Sequence, residues 1–138
     1  MIIKARSIVP GNVSGLALVS RDPISFYGGV DPETGVIVEP GHSLEGEKIS
    51  GKILIFPYGK GSTVGSYIIY RLKKRNLAPL AIVNLETEPI IVVGCVLSRI
   101  PLVDKPEANV TTIIKTGDTV TIKSAGKEAW IKVDKNGK

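Results

Sequence analysis

Ile53-Leu54-Ile55-Phe56-Pro57-Tyr58-Gly59-Lys60-Gly61-Ser62-Thr63-Val64-Gly65-Ser66 decides how this chain folds. The first four residues form an apolar run that reads as a buried strand over Lys52–Phe56. Past Ser62 the period changes: Val64, Ile68 and Leu72 recur every fourth residue, the apolar stripe of a helix over Val64–Arg75. Glycines at 59, 61 and 65 let the intervening turn run tight and close to a ligand. Ser62 and Thr63 fall where the helix begins, beside free N–H groups and the positive end of the helix dipole. Such a turn is a ready anion site. Its serine reads either as a helix N-cap or as a group placed for chemistry.

Working outward, Arg71, Lys73, Lys74 and Arg75 suit the helix C-terminus and read as a solvated end. Asn76 and Pro79 stop the helix, and Leu80–Asn84 is the next strand, so the middle of the chain is a βαβ unit. Glu88-Pro89 opens a second helix through Ser98, with Pro at the first helical position. The rival reading is a strand over Ile90–Val93, because Ile-Ile-Val-Val favours β structure. Further strands are expected at Ile2–Ile8, Gly15–Val19, Gly35–Val38 and Ile100–Val103. A terminal hairpin joins Thr119–Lys123 to Ala129–Val133 around Ala125-Gly126. Lys135–Lys138 reads as a frayed end.

The 138 residues suit one domain, residues 1–138, with a single core. No apolar run reaches the roughly 18 residues of a membrane span. One cysteine, Cys95, rules out an internal disulfide framework and points to a reducing, cytoplasmic setting. One Cys and one His (His42) are too few to ligate a zinc or iron–sulfur centre, so the metal expectation for this chain is none. The net charge of +5 suits an acidic ligand or partner. Aromatics at 5%, with no basic stripe among them, argue against nucleic acid.

Known phosphate motifs fit the loop poorly. A Walker A loop needs Ser or Thr directly after Gly-Lys, whereas Gly61 separates Lys60 from Ser62, and Leu54 stands where the first Gly belongs. A dinucleotide fingerprint would use Gly59-x-Gly61 and Glu86, but its third glycine is one position late and the chain offers too few parallel strands. Acyl transfer through Ser62 would need His42 as base, and nothing in the spacing supports that pairing.

The string Gly59-Lys60-Gly61-Ser62-Thr63 resembles the Gly-x-Gly-Ser-Ser-Arg loop of the aconitase superfamily's swivel domain. In that loop the first serine is the catalytic base, and the arginine two residues on binds substrate. The resemblance extends to the small subunits of one branch, aconitase X, over residues 2–133. It runs through Ser25-Phe26-x-Gly28-Gly29-Val30-Asp31, Gly35, His42, Leu44, Gly46, Pro57, Gly65-Ser66, Ala78-Pro79 and Ile100-Pro101. Val64 stands in the arginine's place, so tricarboxylate binding in the aconitase manner does not carry over, and Ser62 does.

The resemblance implies an α/β swivel-type domain of the swivelling β/β/α kind, with a mixed, barrel-like β-sheet and about two helices. It implies the small subunit of a hydro-lyase, active only as a heterodimer with a large subunit whose cysteines carry a [4Fe-4S] cluster. This chain would itself bind no cofactor. Archaeal members dehydrate (R)-5-phosphomevalonate to trans-anhydromevalonate 5-phosphate in the modified mevalonate pathway of isoprenoid synthesis. Bacterial relatives dehydrate cis-3-hydroxyproline. The Lys- and Ile-rich composition leans to the archaeal type. By the same resemblance Ser62 is the proton acceptor, and Gly59, Lys60, Gly61, Thr63, Ser25 and His42 bind substrate or support the site. Arg21 and Ser66 follow behind them. The alternative from another class is a non-catalytic module whose Gly-rich loop captures a phosphorylated ligand.

Overall fold

The computed structural model describes residues 1–136. At its centre, β3 (Ile53–Phe56) and β4 (Ala81–Asn84) are buried at every position, as strands covered on both faces must be. Their alternating side chains divide the apolar interior in two. Ile53, Ile55, Ala81 and Val83 point one way, with Ile3, Val103, Ile122 and Ile131. Leu54, Phe56 and Ile82 point the other way, towards Ile69, Leu72, Ile91 and Cys95 on the helices.

Around these two strands stand β1 (Ile2–Val9), β2 (Gly11–Val19), β5 (Leu102–Asp104), β6 (Thr119–Ala125) and β7 (Glu128–Asp134). The seven close into a barrel in the order β1-β5-β4-β3-β2-β6-β7. Parallel pairing links β2, β3, β4 and β5. All contacts of β1, β6 and β7 are antiparallel. The helices α2 (Gly65–Lys74) and α3 (Pro89–Ser98) cross between the parallel strands and cover their outer face. In β6 and β7 burial alternates strictly, one face on the barrel interior and one in water.

The swivel-type mixed sheet and closed barrel match expectation, and the described residues hold four helices rather than about two. The additions are one-turn segments. In α1 (Phe26–Gly29) the turn is broken at Gly28, with φ +89°. In α4 (Val110–Ile113) Asn109 Oδ1 accepts the Thr111 N–H, and Val110 helps fill the barrel interior.

Residues 90–93 are helical, which decides the rivalry with a strand. Glu88 accepts the N–H groups of Ile90 and Ile91, so the cap overrides β propensity. Gly35–Val38 is no strand. Asp31, Gly29 and Glu47 of the surrounding loop take its backbone bonds, leaving only single bridges Val30↔Ile37 and Val36↔Lys48. The expected strand Gly15–Val19 starts earlier, at Gly11, and its ladder over Gly11–Leu16 lies on β6. Of the expected frayed end, Lys135 and Asn136 are tied down by bonds to Asp118, while residues 137–138 lie outside the described residues.

Candidate active site

The Gly-rich loop leaves the C-terminal end of β3 and runs beside the segment that follows β2. Ile24 N–H donates to Tyr58 C=O (3.2 Å) and Lys60 N–H donates to Ile24 C=O (3.1 Å). This pairing sets Ser25 against Gly61, where a Cβ would overlap Ser25 Oγ, and Gly61 sits at φ +87°. Only glycine meets both demands without strain. Gly59 is buried against α3: a Cβ there would come within 2.5 Å of Glu88 Oε1 and Ile91 Cγ1. Two chain segments, Ile24–Ser25 and Glu88–Ile91, therefore clamp the loop.

Beyond the clamp the backbone turns into α2. Ser62 C=O accepts the Gly65 N–H at 2.9 Å, and Ser62 Oγ accepts the Val64 N–H at 3.1 Å. Ser62 thus caps a turn that leads into the helix, and it stays half-buried. The first turn of α2 carries no acidic side chain, so its N-terminal potential is unneutralised by its own residues. Thr63 is exposed beside it. Ser66 donates to Ile90 C=O at 2.8 Å, fastening α2 to α3 rather than returning to the loop.

Lys60 Nζ lies 3.4 Å from Glu39 Oε2, both side chains partly exposed. A pair this long and wet contributes about 0–1 kcal/mol, so an anionic ligand could displace the carboxylate. His42 is buried. Its Nδ1 accepts the Leu44 N–H at 3.0 Å, so Nε2 bears the proton and donates to Pro23 C=O at 3.0 Å. With both ring nitrogens committed, His42 pins its loop to the Pro23–Ser25 segment. Arg21 lies apart, lining a recess with Ser43, Thr111 and Lys115. The neighbouring Asp22 carboxyl is held below its usual range, chiefly by the Ser43 N–H.

Sequence reasoning missed three carboxylates. Glu39 carried no local signal. Glu88-Pro89 announced a helix start, but nothing in the sequence showed that the Glu88 carboxylate would wall Gly59. Asp104, fully buried, takes two bonds from Arg6 (2.8 and 2.9 Å) and one from Thr87 N–H (2.9 Å), fixing the turn that delivers Glu88. A lone Asp after an apolar run could not have indicated partners so distant in sequence.

Among the described residues no three His, Cys, Asp or Glu side chains converge to hold a metal ion. Cys95 lies on the buried face of α3, and burial pushes its thiol up to about 12, far from the thiolate a cluster requires. This chain's donors do not fit an iron–sulfur centre.

Residues 2–133 match the family model described as the aconitase X swivel domain. A protein of Methanosarcina mazei named phosphomevalonate dehydratase small subunit is 55% identical over 134 residues, 97% of this chain and 92% of that one. The crystal structure of Thermococcus kodakaraensis aconitase X in its holo-form superposes with a TM-score of 0.89 at 48% identity, covering 96% of this chain and 98% of that one. The solution NMR structure of a UPF0107 protein gives a TM-score of 0.84 at 40% identity, covering 98% and 100%.

Proposed function

The chain belongs to the aconitase X swivel-domain family, and from that premise we propose that it is the small subunit of an archaeal-type phosphomevalonate dehydratase. The substrate of the reading is (R)-5-phosphomevalonate and the product trans-anhydromevalonate 5-phosphate. The observation that carries it is the near end-to-end match, at 54% and 55% identity, with relatives named as that enzyme's small subunit. In this reading residues 1–138 act as one swivel domain in the cytoplasm. No described helix is long and apolar enough to cross a membrane.

The chain's own contribution is proton transfer. Ser62 Oγ takes the proton from the carbon α to the carboxylate. The C–H electron pair becomes the C=C bond as the C–O bond to the hydroxyl breaks. A serine alkoxide needs strong stabilisation, and two sources stand close by, the Val64 N–H on Oγ and the N-terminal end of α2, with Lys60 two residues earlier in the loop as a third candidate. Lys60 is equally placed to meet the phosphate or carboxylate in exchange for Glu39. Gly59 and Gly61 let the backbone approach, and Ser25, Thr63 and His42 hold or edge the cleft. The [4Fe-4S] cluster of this reading would polarise the leaving hydroxyl and would be held by the large subunit, since among the described residues no three His, Cys, Asp or Glu side chains converge on a common point.

The test is to co-express the chain with the large subunit, purify the pair anaerobically and follow 5-phosphomevalonate by NMR. Loss of water with appearance of the anhydro product is the expected result. Turnover of cis-3-hydroxyproline instead would move the protein to the other branch of the family. A lone chain that binds inorganic phosphate, and dehydrates neither compound with any partner, would be the non-catalytic module.

A further inference from the structure

We infer that the large subunit seats on an apolar groove between α2 and α3, directly beside Ser62, and that this groove is the main dock of the small subunit. The inference rests on the dehydratase-subunit reading. A surface helix ordinarily turns charged and polar residues to water. From Pro89 to Ser98 α3 carries no charged residue, although Val93 (47%), Val96 (57%) and Leu97 (49%) are open to solvent. Val93 and Leu97 are one helical turn apart and share a face. Across from them α2 offers Tyr67, 67% exposed, and the chain before it offers Val64. The two helices lie close because Gly94 packs against Ile69, and Ser66 bonds to Ile90 C=O.

Together Thr63, Val64, Tyr67, Pro89, Ile90 and Val93 border a groove of about 350 Å³. Exposed apolar surface of this kind, with an aromatic side chain (Tyr67) in its lining, is the composition of an interface core.

Position identifies the occupant. The groove begins at Thr63 and Val64, the residues that follow Ser62. A partner that supplies the missing half of the site must close over Ser62, and it cannot do so without covering the start of the groove. The charged residues of α2, Arg71, Lys73 and Lys74, gather at the opposite end of that helix, away from the loop. Exposed Trp130, which borders a separate recess with Ile2, serves as the contrast. It lies on β7, across the barrel from β3 and β4, where it stacks under Lys4 and borders no site residue.

The experiment is a titration of the co-purifying large subunit against wild-type chain and three surface variants, Val93→Arg, Leu97→Arg and Trp130→Ala, read by isothermal calorimetry. Thermal unfolding confirms that each variant folds. The expected result is a Kd raised about tenfold or more for Val93→Arg and Leu97→Arg, with Trp130→Ala unchanged. Wild-type affinity in both arginine variants would overturn the inference while leaving the dehydratase reading intact. So would unchanged affinity with a raised KM for 5-phosphomevalonate, which would give the groove to substrate. If wild-type chain binds no large subunit, the subunit reading itself fails, and the dock with it.

Discussion

Strand β2 has two neighbours that differ in kind. Along Ala17–Val19 it lies parallel to β3, and along Gly11–Leu16 it lies antiparallel to β6. On the antiparallel side, β6 and β7 join through a tight turn at Ala125–Glu128, and the outer face is plain water-facing sheet. On the parallel side each strand must be followed by a crossover, so β2, β3 and β4 all deliver their C-terminal connections to one rim. Ser25, the Gly59–Ser62 loop and Glu88 arrive together there. The antiparallel half closes the barrel, and the parallel half carries the site.

The sharpest way to break that division is Ser62→Ala in the heterodimer. We expect kcat to fall by about 10²–10⁴-fold with KM little changed, read by steady-state kinetics. A raised KM with kcat retained would make Ser62 a binding and capping group only. The matching change in the other half is Ile131→Ala, at a fully buried position of the barrel interior. It should cost about 2–5 kcal/mol in urea unfolding while the folded complex keeps its kcat. A lost kcat there would show that the halves are not separable.

Gly61→Ala should cost roughly 2 kcal/mol, from its positive φ and its overlap with Ser25 Oγ. Adding Ser25→Gly should recover only the overlap, and thermal unfolding of the single and double variants separates the two parts.

The smallest effect belongs to Asp118, before β6. The Lys115 N–H first, then the Lys135 ammonium, hold its carboxyl below the usual value of 3.8. A depressed folded-state pKa gives stability that is fully present above that usual value and is lost as pH falls through the folded one. Urea midpoints measured from about pH 6 down to about pH 3 should therefore drop less steeply in Asp118→Asn than in wild type, with turnover at neutral pH unaltered.

Local pattern made part of this legible. The switch from an apolar run to a four-residue period located β3, the loop and α2 to within a residue or two, because each signal lies inside one element. The same locality misled at Gly35–Val38, where a short apolar run found loop partners instead of a ladder. The two-sided commitment of His42 was invisible, since Pro23 lies 19 residues away and no spacing encodes it.

The sequence by itself determined the strand–loop–helix that presents Ser62 and, through its motifs, the family. Hydrophobic period, turn chemistry and residue counts are properties of neighbours along the chain. Tertiary structure alone decided that β1 would pair with β7, setting Ile3 opposite Ile131, and so close the barrel. It alone set Ser25 on Gly61, Glu88 on Gly59 and Lys60 near Glu39. Those contacts join segments far apart in sequence, and strand register and packing fix them only once the whole core has formed.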